Sequence, residues 1–493
     1  MKRRMILKTT HVKWVTVAIF VSTFMTAIEG TIVSTAVPRI VSELNGISIM
    51  NWVFSIYLLT SAVCVPIFGK LADIFGRKPI FIIGTIVFMI GSALCGLAQD
   101  MTQLIIFRAI QGIGAGSIMP LSFIIIADIY SVEKRAKVMG LNGAAWGIAG
   151  IFGPLLGGFL VDFLTWHWIF FINVPIGIIL IILMQIFFHE KVEKSEQTID
   201  YIGTFLLTIG LVALLLGFQF AGDTLSWVSP NVLLAFGIAV LFLGLFIWQE
   251  NRTKYPILPL PMFKNLSFTF ANVVAILASA FLIGVNVYMP MWVQGILGLS
   301  ATIAGFTLAP MSITWIIGSF IGGKMIESSS IRRVIGLGTF FIGLAGLWLM
   351  VLTKDATIWM FLGASAVMGL GFGITITMTT ITAQNVVAPR DMGAATSVNT
   401  LFRTLGQVMG MAIFGTIFNS TTTRLLAENK SPGVTHDNLT QLLNPNHAPI
   451  AAEAVAQLKD VLYSGLHTVF ISMLVITIIT FLFHLPIKTM KYK

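Results

Sequence analysis

Two residues of opposite charge, Glu29 and Arg108, lie inside long apolar runs, where an ionisable group needs a reason to be. Glu29 sits in Ala27-Ile28-Glu29-Gly30-Thr31-Ile32-Val33, and Arg108 in Leu104-Ile105-Ile106-Phe107-Arg108-Ala109-Ile110-Gln111-Gly112. A carboxylate at such a place can bind and release a proton, pair with a cation, or remain as a neutral acid hydrogen-bonded between helices. Arg108 is about eight residues, ~12 Å of helix, from Asp100, and Glu29 is about nine residues, ~14 Å, from Pro38. The two therefore share a depth. They can pair if their helices face each other, as a site that exchanges a proton or as a static salt bridge. A second polar set, Asn399, Arg403 and Gln407, recurs at i, i+4 and i+8 and forms a stripe that cannot face lipid cheaply. Arg403 either lines a cavity or pairs with backbone carbonyls. Met25, Tyr57, Gln111, Asn142, Asn286 and Trp315 are further candidates to line that cavity, with plain packing as the alternative for each.

The elements that must hold these residues are membrane helices. Of 493 residues, 56% are hydrophobic and 10% charged, against about 25% charged in soluble proteins. Apolar segments of about 20 residues, each able to cross the hydrocarbon as a helix, recur at 14–37, 51–70, 79–98, 104–127, 137–160, 168–188, 201–220, 230–249, 268–293, 301–323, 331–352, 357–385, 393–419 and 463–486. The chain reads as an all-α membrane protein with fourteen transmembrane helices. The net charge of +10 is a matter of topology, because 23 of the 30 Lys and Arg residues fall on one side of these spans. That side is cytoplasmic by the positive-inside rule and carries both termini. Nucleic acid is not an expected partner. The first apolar run is long, contains Glu29 and shows no Ala-x-Ala site, so it is expected to stay as the first span. Cys64 and Cys95 lie within spans, and His167, His189 and His447 are scattered, so neither a disulfide framework nor a metal site is expected. Trp14, Trp52, Trp166, Trp168, Trp248 and Trp359 fall at span ends, as interfacial anchors do.

An internal repeat organises the spans. Gly69-Lys70, Asp73 and Arg77-Lys78 recur as Gly323-Lys324, Glu327 and Arg332-Arg333, and Gly112-x-Gly114-x-Gly116 recurs as Gly369-x-Gly371-x-Gly373. The offsets of 254 and 257 residues nearly agree. The expected division is a six-helix bundle over residues 1–190, an inserted helix pair over 191–264, and a second six-helix bundle over 265–493 with a loop at about 420–462. Residues 451–460 of that loop could be helical and run into the last span. Repeated halves about a shared site are a transporter signature.

The stretch Gly69-Lys70-Leu71-Ala72-Asp73-Ile74-Phe75-Gly76-Arg77-Lys78 resembles the signature that follows the second helix in the major facilitator superfamily. Asp73 can cap or pair at helix ends, while Gly69 and Gly76 permit close approach and a tight turn. The resemblance implies a conformational latch between the halves, made of Gly69, Asp73, Gly76, Arg77 and Lys78, with Asp128 at the same membrane face. The segment around Arg108 resembles a second signature of the superfamily. The fifth span carries Gly143, Gly147, Gly150, Gly153, Pro154, Gly157 and Gly158, followed by Trp166-His167-Trp168-Ile169-Phe170-Phe171-Ile172-Asn173-Val174-Pro175. That block resembles the fourteen-helix drug:proton antiporters, in which the glycine motif marks exporters. Such spacing also suits close helix packing, with a kink invited at Pro154. Where that family usually has Asp before Thr-Ile-Val, this chain has Glu29, which keeps the charge on a longer arm.

The resemblance implies two pseudo-symmetric bundles plus two inserted helices in a bacterial cell membrane. It also implies a monomer that exports small amphipathic compounds in exchange for protons by alternating access. The proton gradient supplies the energy, and no cofactor is expected. Glu29 and Arg108 would couple the proton. Glu29 is the one acid placed near mid-membrane, and exchange of one proton for one monovalent cation moves no net charge, whereas each uncompensated charge draws about 2.3 kcal/mol per 100 mV. Neutral or monocationic substrates are therefore expected over dications. Arg108 and Arg403 outnumber the one acid, which leaves an anionic lipid, metabolite or nucleotide as the alternative cargo. A non-transporting receptor or scaffold is the alternative of another class. An enzyme is not expected: Gly318-x4-Gly323-Lys324-Met325 lacks the Ser or Thr and the preceding strand of a phosphate-binding loop.

Overall fold

The computed structural model describes residues 10–44, 51–190, 200–224, 227–253, 256–299, 301–388, 391–429 and 452–488, with scattered positions between 431 and 439. Its helices are α1 (Val12–Leu44), α2 (Asn51–Phe75), α3 (Arg77–Cys95), α4 (Met101–Ile129), α5 (Val132–Phe163), the short α6 (Trp168–Phe171), α7 (Asn173–Phe187), α8 (Tyr201–Thr224) and α9 (Pro230–Glu250). They continue as α10 (Leu266–Gly295), the short α11 (Ala301–Phe306), α12 (Ala309–Ser328), α13 (Ile331–Met350), α14 (Ile358–Asn385), α15 (Met392–Glu428) and α16 (Ala452–Phe483). The described residues contain no strand. Among them thirteen helical stretches are long and apolar enough to cross a membrane, two of these being α6 with α7 and α11 with α12. The remaining expected span, the fifth, falls on the 32-residue helix α5. As the 451–460 segment suggests, α16 begins at Ala452 and runs unbroken into the last span.

Two groups of helices, α1–α7 and α10–α16, each pack among themselves. The repeated glycine triplets show how. A Cβ on Gly112 or Gly116 would strike α2, at Tyr57 and Thr60 or at Ser61 and Cys64, while one on Gly114 would strike α3 at Gly84 and Phe88. In the second half Gly369 and Gly373 meet α12 at Met311 and Thr314 or at Trp315 and Ser319, and Gly371 meets α13 at Gly338 and Ile342. The central helix of each half thus presses alternately on the two helices before it, through the absence of side chains.

Helix α5 joins the halves by packing on both α1 and α12, and α2 meets α15 on the other side. The pair α8–α9 packs on itself and leans on the α2–α15 seam, where Leu207, Leu211 and Leu215 share an apolar cluster with Ala62, Val398 and Leu405. Its outer side is apolar and exposed, with Phe205 60%, Leu234 64% and Val240 74% accessible, as lipid contact requires.

The start of α1 and the end of α16 lie on one face, called here the terminal face. There the His11 N–H donates to the Phe187 carbonyl at 3.0 Å, and the Arg332 Nε donates to the Ile487 carbonyl at 2.7 Å. Trp14, Trp168, Trp248 and Trp359 are exposed at span ends. Trp166 corrects the expectation for its class: it is 1% exposed, and its indole N–H donates to Glu43 at 2.7 Å, tying the segment after α5 to the end of α1. A buried indole N–H needs a hydrogen-bond partner, and Glu43 supplies it.

Candidate functional site

The first half closes around Glu29. Glu29 is 0% and Arg108 1% exposed, and Arg108 Nη1 donates to Glu29 Oε1 at 2.5 Å. The second carboxylate oxygen accepts from Asn173 Nδ2 at 2.7 Å. Arg108 also donates from Nε to the Val53 carbonyl at 2.9 Å and from Nη1 to Gln111 Oε1 at 2.8 Å, and its guanidinium lies 4.3 Å from the centre of the Tyr57 ring. The Ser92 hydroxyl accepts from Gln111 at 3.1 Å and from Asn173 at 3.0 Å, and donates to the Phe170 carbonyl at 2.8 Å. Helices α1, α2, α4 and α7 therefore all place groups on one buried ion pair, and α3 joins them through Ser92, which holds Gln111 and Asn173. Such a pair repays its desolvation only when further hydrogen bonds support it, and here Asn173, Gln111 and the Val53 carbonyl do so. Asn173 and Ser92 are partners that sequence reasoning missed; a polar side chain at the head of the apolar run 173–187 was the available signal.

Gly91 on α3 makes this closure possible. A Cβ there would lie 2.5 Å from the Cα of Gln111 and 2.8 Å from its Cβ. Gly91→Ala must push α3 from α4 at the residue that holds Arg108. We expect a loss of about 1–3 kcal/mol from overpacking, read as a lower thermal unfolding midpoint. An unchanged midpoint would mean that this contact is not tight.

The polar stripe of α15 divides. Asn399 is 1% exposed and fully engaged within the second half, accepting from Thr380 Oγ1 at 2.9 Å and donating to Asn272 Oδ1 at 3.0 Å. Arg403 turns the other way, toward the first half, and stands 5.7 Å from the centre of the Phe123 ring on α4. Its Nε and Nη1 are buried without a hydrogen-bond partner among the described residues, so the backbone-carbonyl alternative is not what these atoms do. An arginine within a span costs about 2.5–3.5 kcal/mol on insertion scales. An aromatic face returns about 0.5–2 kcal/mol of that. Gln407 is part-exposed and Asn286 exposed, whereas Met25 is 0% exposed in the core and Trp315 stacks on Phe372 at 5.6 Å. Gln111 and Tyr57 belong to the Glu29 cluster.

The third cluster lies on the terminal face. Gly76 turns the chain from α2 to α3 with φ 97°, a left-handed conformation that favours glycine. Arg77 reaches Asp73 and Asp128, each at 3.2 Å, and Lys78 Nζ donates to the Gln185 carbonyl at 2.9 Å. Asp73 packs against Gly393, which places a carboxylate from the first half at the N-terminus of α15 in the second. It gets there because Gly393 and Gly69 are bare: a Cβ on Gly393 would be 2.6 Å from Asp73 Cγ, and one on Gly69 would be 2.8 Å from Ser397 Cβ. Lys70 is close enough to feel Asp73, Asp391 and Glu250, which ties the end of α9 to the same cluster.

Glu190, absent from the sequence reading, caps α3 from afar by accepting the N–H groups of Arg77 and Lys78 at 2.7 and 3.1 Å. Burial pushes its carboxyl above the usual range, against the pull of those two N–H groups and of the Arg77 charge. A carboxylate at a helix N-terminus is worth about 0.3–2 kcal/mol. Asp73→Asn is therefore expected to shift the halves toward a terminal-face-open state, by up to about thirtyfold in population. Distances between spin labels on the two halves at that face should lengthen, and an unchanged distribution would contradict the latch.

In the glycine stripe of α5, Gly153 is a close approach, since a Cβ there would lie 2.8 Å from the Cβ of Thr31 on α1. Thr31 Oγ1 donates to the Ala149 carbonyl at 3.0 Å, two residues beyond Glu29. Gly150 departs from the expected packing role: a Cβ there would meet nothing within 4 Å, because this position faces open space. Gly157 is buried. The side chain of Asn142 and positions Gly147, Pro154 and Gly158 lie outside the residues whose surroundings are described, as does most of the 420–462 loop. Among the described residues no cluster of His, Cys, Asp or Glu could hold a metal ion.

Residues 19–411 match the model of the Major Facilitator Superfamily. The chain is 36% identical to the multidrug transporter protein MdtP of Bacillus subtilis, over 96% of this chain and 92% of that protein. It is 39% identical to multidrug resistance protein 3 of the same organism, over 83% of this chain and 80% of the relative. It is 34% identical to the multidrug efflux pump SdrM of Staphylococcus aureus, over 82% and 89%. Among solved structures it resembles the human organic anion transporter MFSD10, with a TM-score of 0.66 at 12% identity, over 96% of this chain and 99% of that one. At that identity the likeness concerns the fold.

Proposed function

This chain belongs to the Major Facilitator Superfamily of membrane transporters, and we propose that it exports amphipathic drugs in exchange for protons by alternating access. The observation that carries the reading is the sealed Glu29–Arg108 pair, supported by Asn173, Gln111, the Val53 carbonyl and the Tyr57 ring. When Glu29 takes up a proton the ion pair ends, but Arg108 keeps the Val53 carbonyl, Gln111 and the Tyr57 face. The same site can thus exist charged or protonated at bearable cost, as a coupling group must. With both residues at 1% exposure or less, proton exchange requires a different arrangement of the helices around them.

In this account the terminal face is cytoplasmic, the latch of Asp73 on α15 holds that face shut, and substrate enters when it opens. Proton uptake from outside displaces substrate, and the gradient resets the cycle through states that bind proton and substrate differently. The transporter works as a monomer in the bacterial cell membrane, without a cofactor. Vesicles with reconstituted protein test this: an imposed pH gradient should drive uphill movement of amphipathic dyes, and collapse of the gradient by a proton ionophore should stop it. Dye movement indifferent to the ionophore would overturn the proposal.

The charge count bears on the cargo. Glu29 is compensated by Arg108, so it does not offer a free negative charge to a cation while paired. Neutral amphipathic compounds remain well suited, monocations less so. A second reading, anionic cargo, is favoured by Arg403, whose buried Nε and Nη1 have no partner among the described residues.

A further inference from the structure

We infer that Arg403 anchors substrates bearing an anionic head group, a carboxylate, sulfonate or phosphate on an apolar body. This rests on the reading of the chain as an exporter and names the charge class it takes. Of the two arginines buried in apolar runs, Arg108 is spent on Glu29, Gln111, Val53 and Tyr57. Arg403 is spent on nothing comparable: two of its donor nitrogens are buried without an acceptor, and among the described residues no carboxylate lies within ion-pairing distance. The acids of its own helix region, Asp391 and Glu428, are about 18 and 37 Å away along α15.

Its position adds direction. Arg403 belongs to the second half and lies over Phe123 of the first, at the seam that alternating access must open and close. The part-exposed Gln407 is one turn away on the same helix and supplies a neutral hydrogen-bonding group. The free Nε and Nη1 lie on different forked edges of the guanidinium, each completed by Nη2, so either edge can take the oxygens of an oxyanion, and the Phe123 ring offers an apolar surface beside it for the body of the ligand. With Glu29 ionised, Glu29, Arg108 and Arg403 together carry a net charge of +1, which opposes cations and favours anions. Glu29 stays with its own counter-ion, so proton and substrate compete through conformation and not for one point charge.

The test uses the full chain in phosphatidylcholine nanodiscs and three probes on one aromatic body: pyrenesulfonate, hydroxymethylpyrene and a pyrenylmethyl trimethylammonium, with binding read by pyrene fluorescence. The parent should bind the sulfonate about tenfold more tightly than the ammonium. Arg403→Gln should lose about tenfold for the sulfonate and stay within about twofold for the neutral probe, while Arg403→Lys should keep most of the affinity. Glu29→Gln mimics the protonated state and should weaken all three probes while keeping the parent's preference for the sulfonate over the ammonium, which separates failure of proton coupling from failure of this assignment. Adding phosphatidylglycerol distinguishes the sources of the anion. Competition with the sulfonate in the parent but not in Arg403→Gln makes a lipid head group an occupant, and no competition makes free amphiphiles the ligand. Equal loss for the neutral and anionic probes in Arg403→Gln, or a parent that prefers the ammonium, would overturn the inference.

Discussion

Glu29→Gln is expected to lose export driven by a pH gradient by about 5–150-fold, the range set by a coupling free energy of ~1–3 kcal/mol between two sites. Substrate binding should remain. The substitution keeps one acceptor oxygen for Arg108, removes the titratable charge, and replaces the second oxygen by an NH2 group that Asn173 can accept through its otherwise unpartnered Oδ1 once its amide turns round. Arg108 retains the Val53 carbonyl, Gln111 and the Tyr57 face. The cost to stability therefore falls below the ~3–5 kcal/mol of a buried charge stripped of its partner. Exchange of substrate between the two sides at equal pH, which needs no net proton movement, should persist in the variant. Vesicle transport with and without the gradient reads both quantities. Equal gradient-driven transport by parent and variant would place proton coupling elsewhere.

Arg108→Met is expected to be the more damaging change to the fold, costing about 3–5 kcal/mol. It strands Glu29 with Asn173 as its one remaining partner, at 0% exposure, and also removes the donors to Val53 and Gln111. Part of this loss should be recoverable. Adding Glu29→Gln removes the stranded carboxylate, and the double variant should be more stable than the sum of the single losses by ~0.5–3 kcal/mol, the interaction expected for residues in contact. Thermal unfolding of the four proteins in one detergent measures the cycle. Additive losses would show that the pair does not act as a unit, whatever its geometry.

Depth was legible in the sequence and azimuth was not. Helical rise puts Glu29 and Arg108 at one level, and they meet at 2.5 Å. Which helices surround them depends on lateral packing, so Ser92 on α3 and Asn173 on α7 were invisible as partners. The α15 stripe shows the same limit. Asn399 and Arg403 are one turn apart, yet the first is consumed by Asn272 and Thr380 of its own half while the second faces Phe123 of the other. Spacing alone could not say where the helix surface passes from one neighbour to the next.

The latch was legible in its local part, because Gly76, Arg77 and Asp73 are close in sequence. Its distant members were not: Glu190 caps α3 across 113 residues, and Gly393 matters only because Asp73 arrives beside it. The repeat was the most informative pattern. The two glycine triplets at an offset of 257 residues make the same alternating contacts in both halves, so sequence similarity there reports packing directly. Gly150 shows that one glycine within such a stripe need not be a contact.

Proton release from purified protein in weak buffer, on addition of an amphipathic ligand, puts the role of Glu29 to a single test. The account predicts that the parent releases about one proton per bound ligand while Glu29→Gln binds the ligand and releases none, because proton and substrate then bind to different states of one coupled equilibrium. Equal release from parent and variant, or binding by the parent with no release at all, would contradict it.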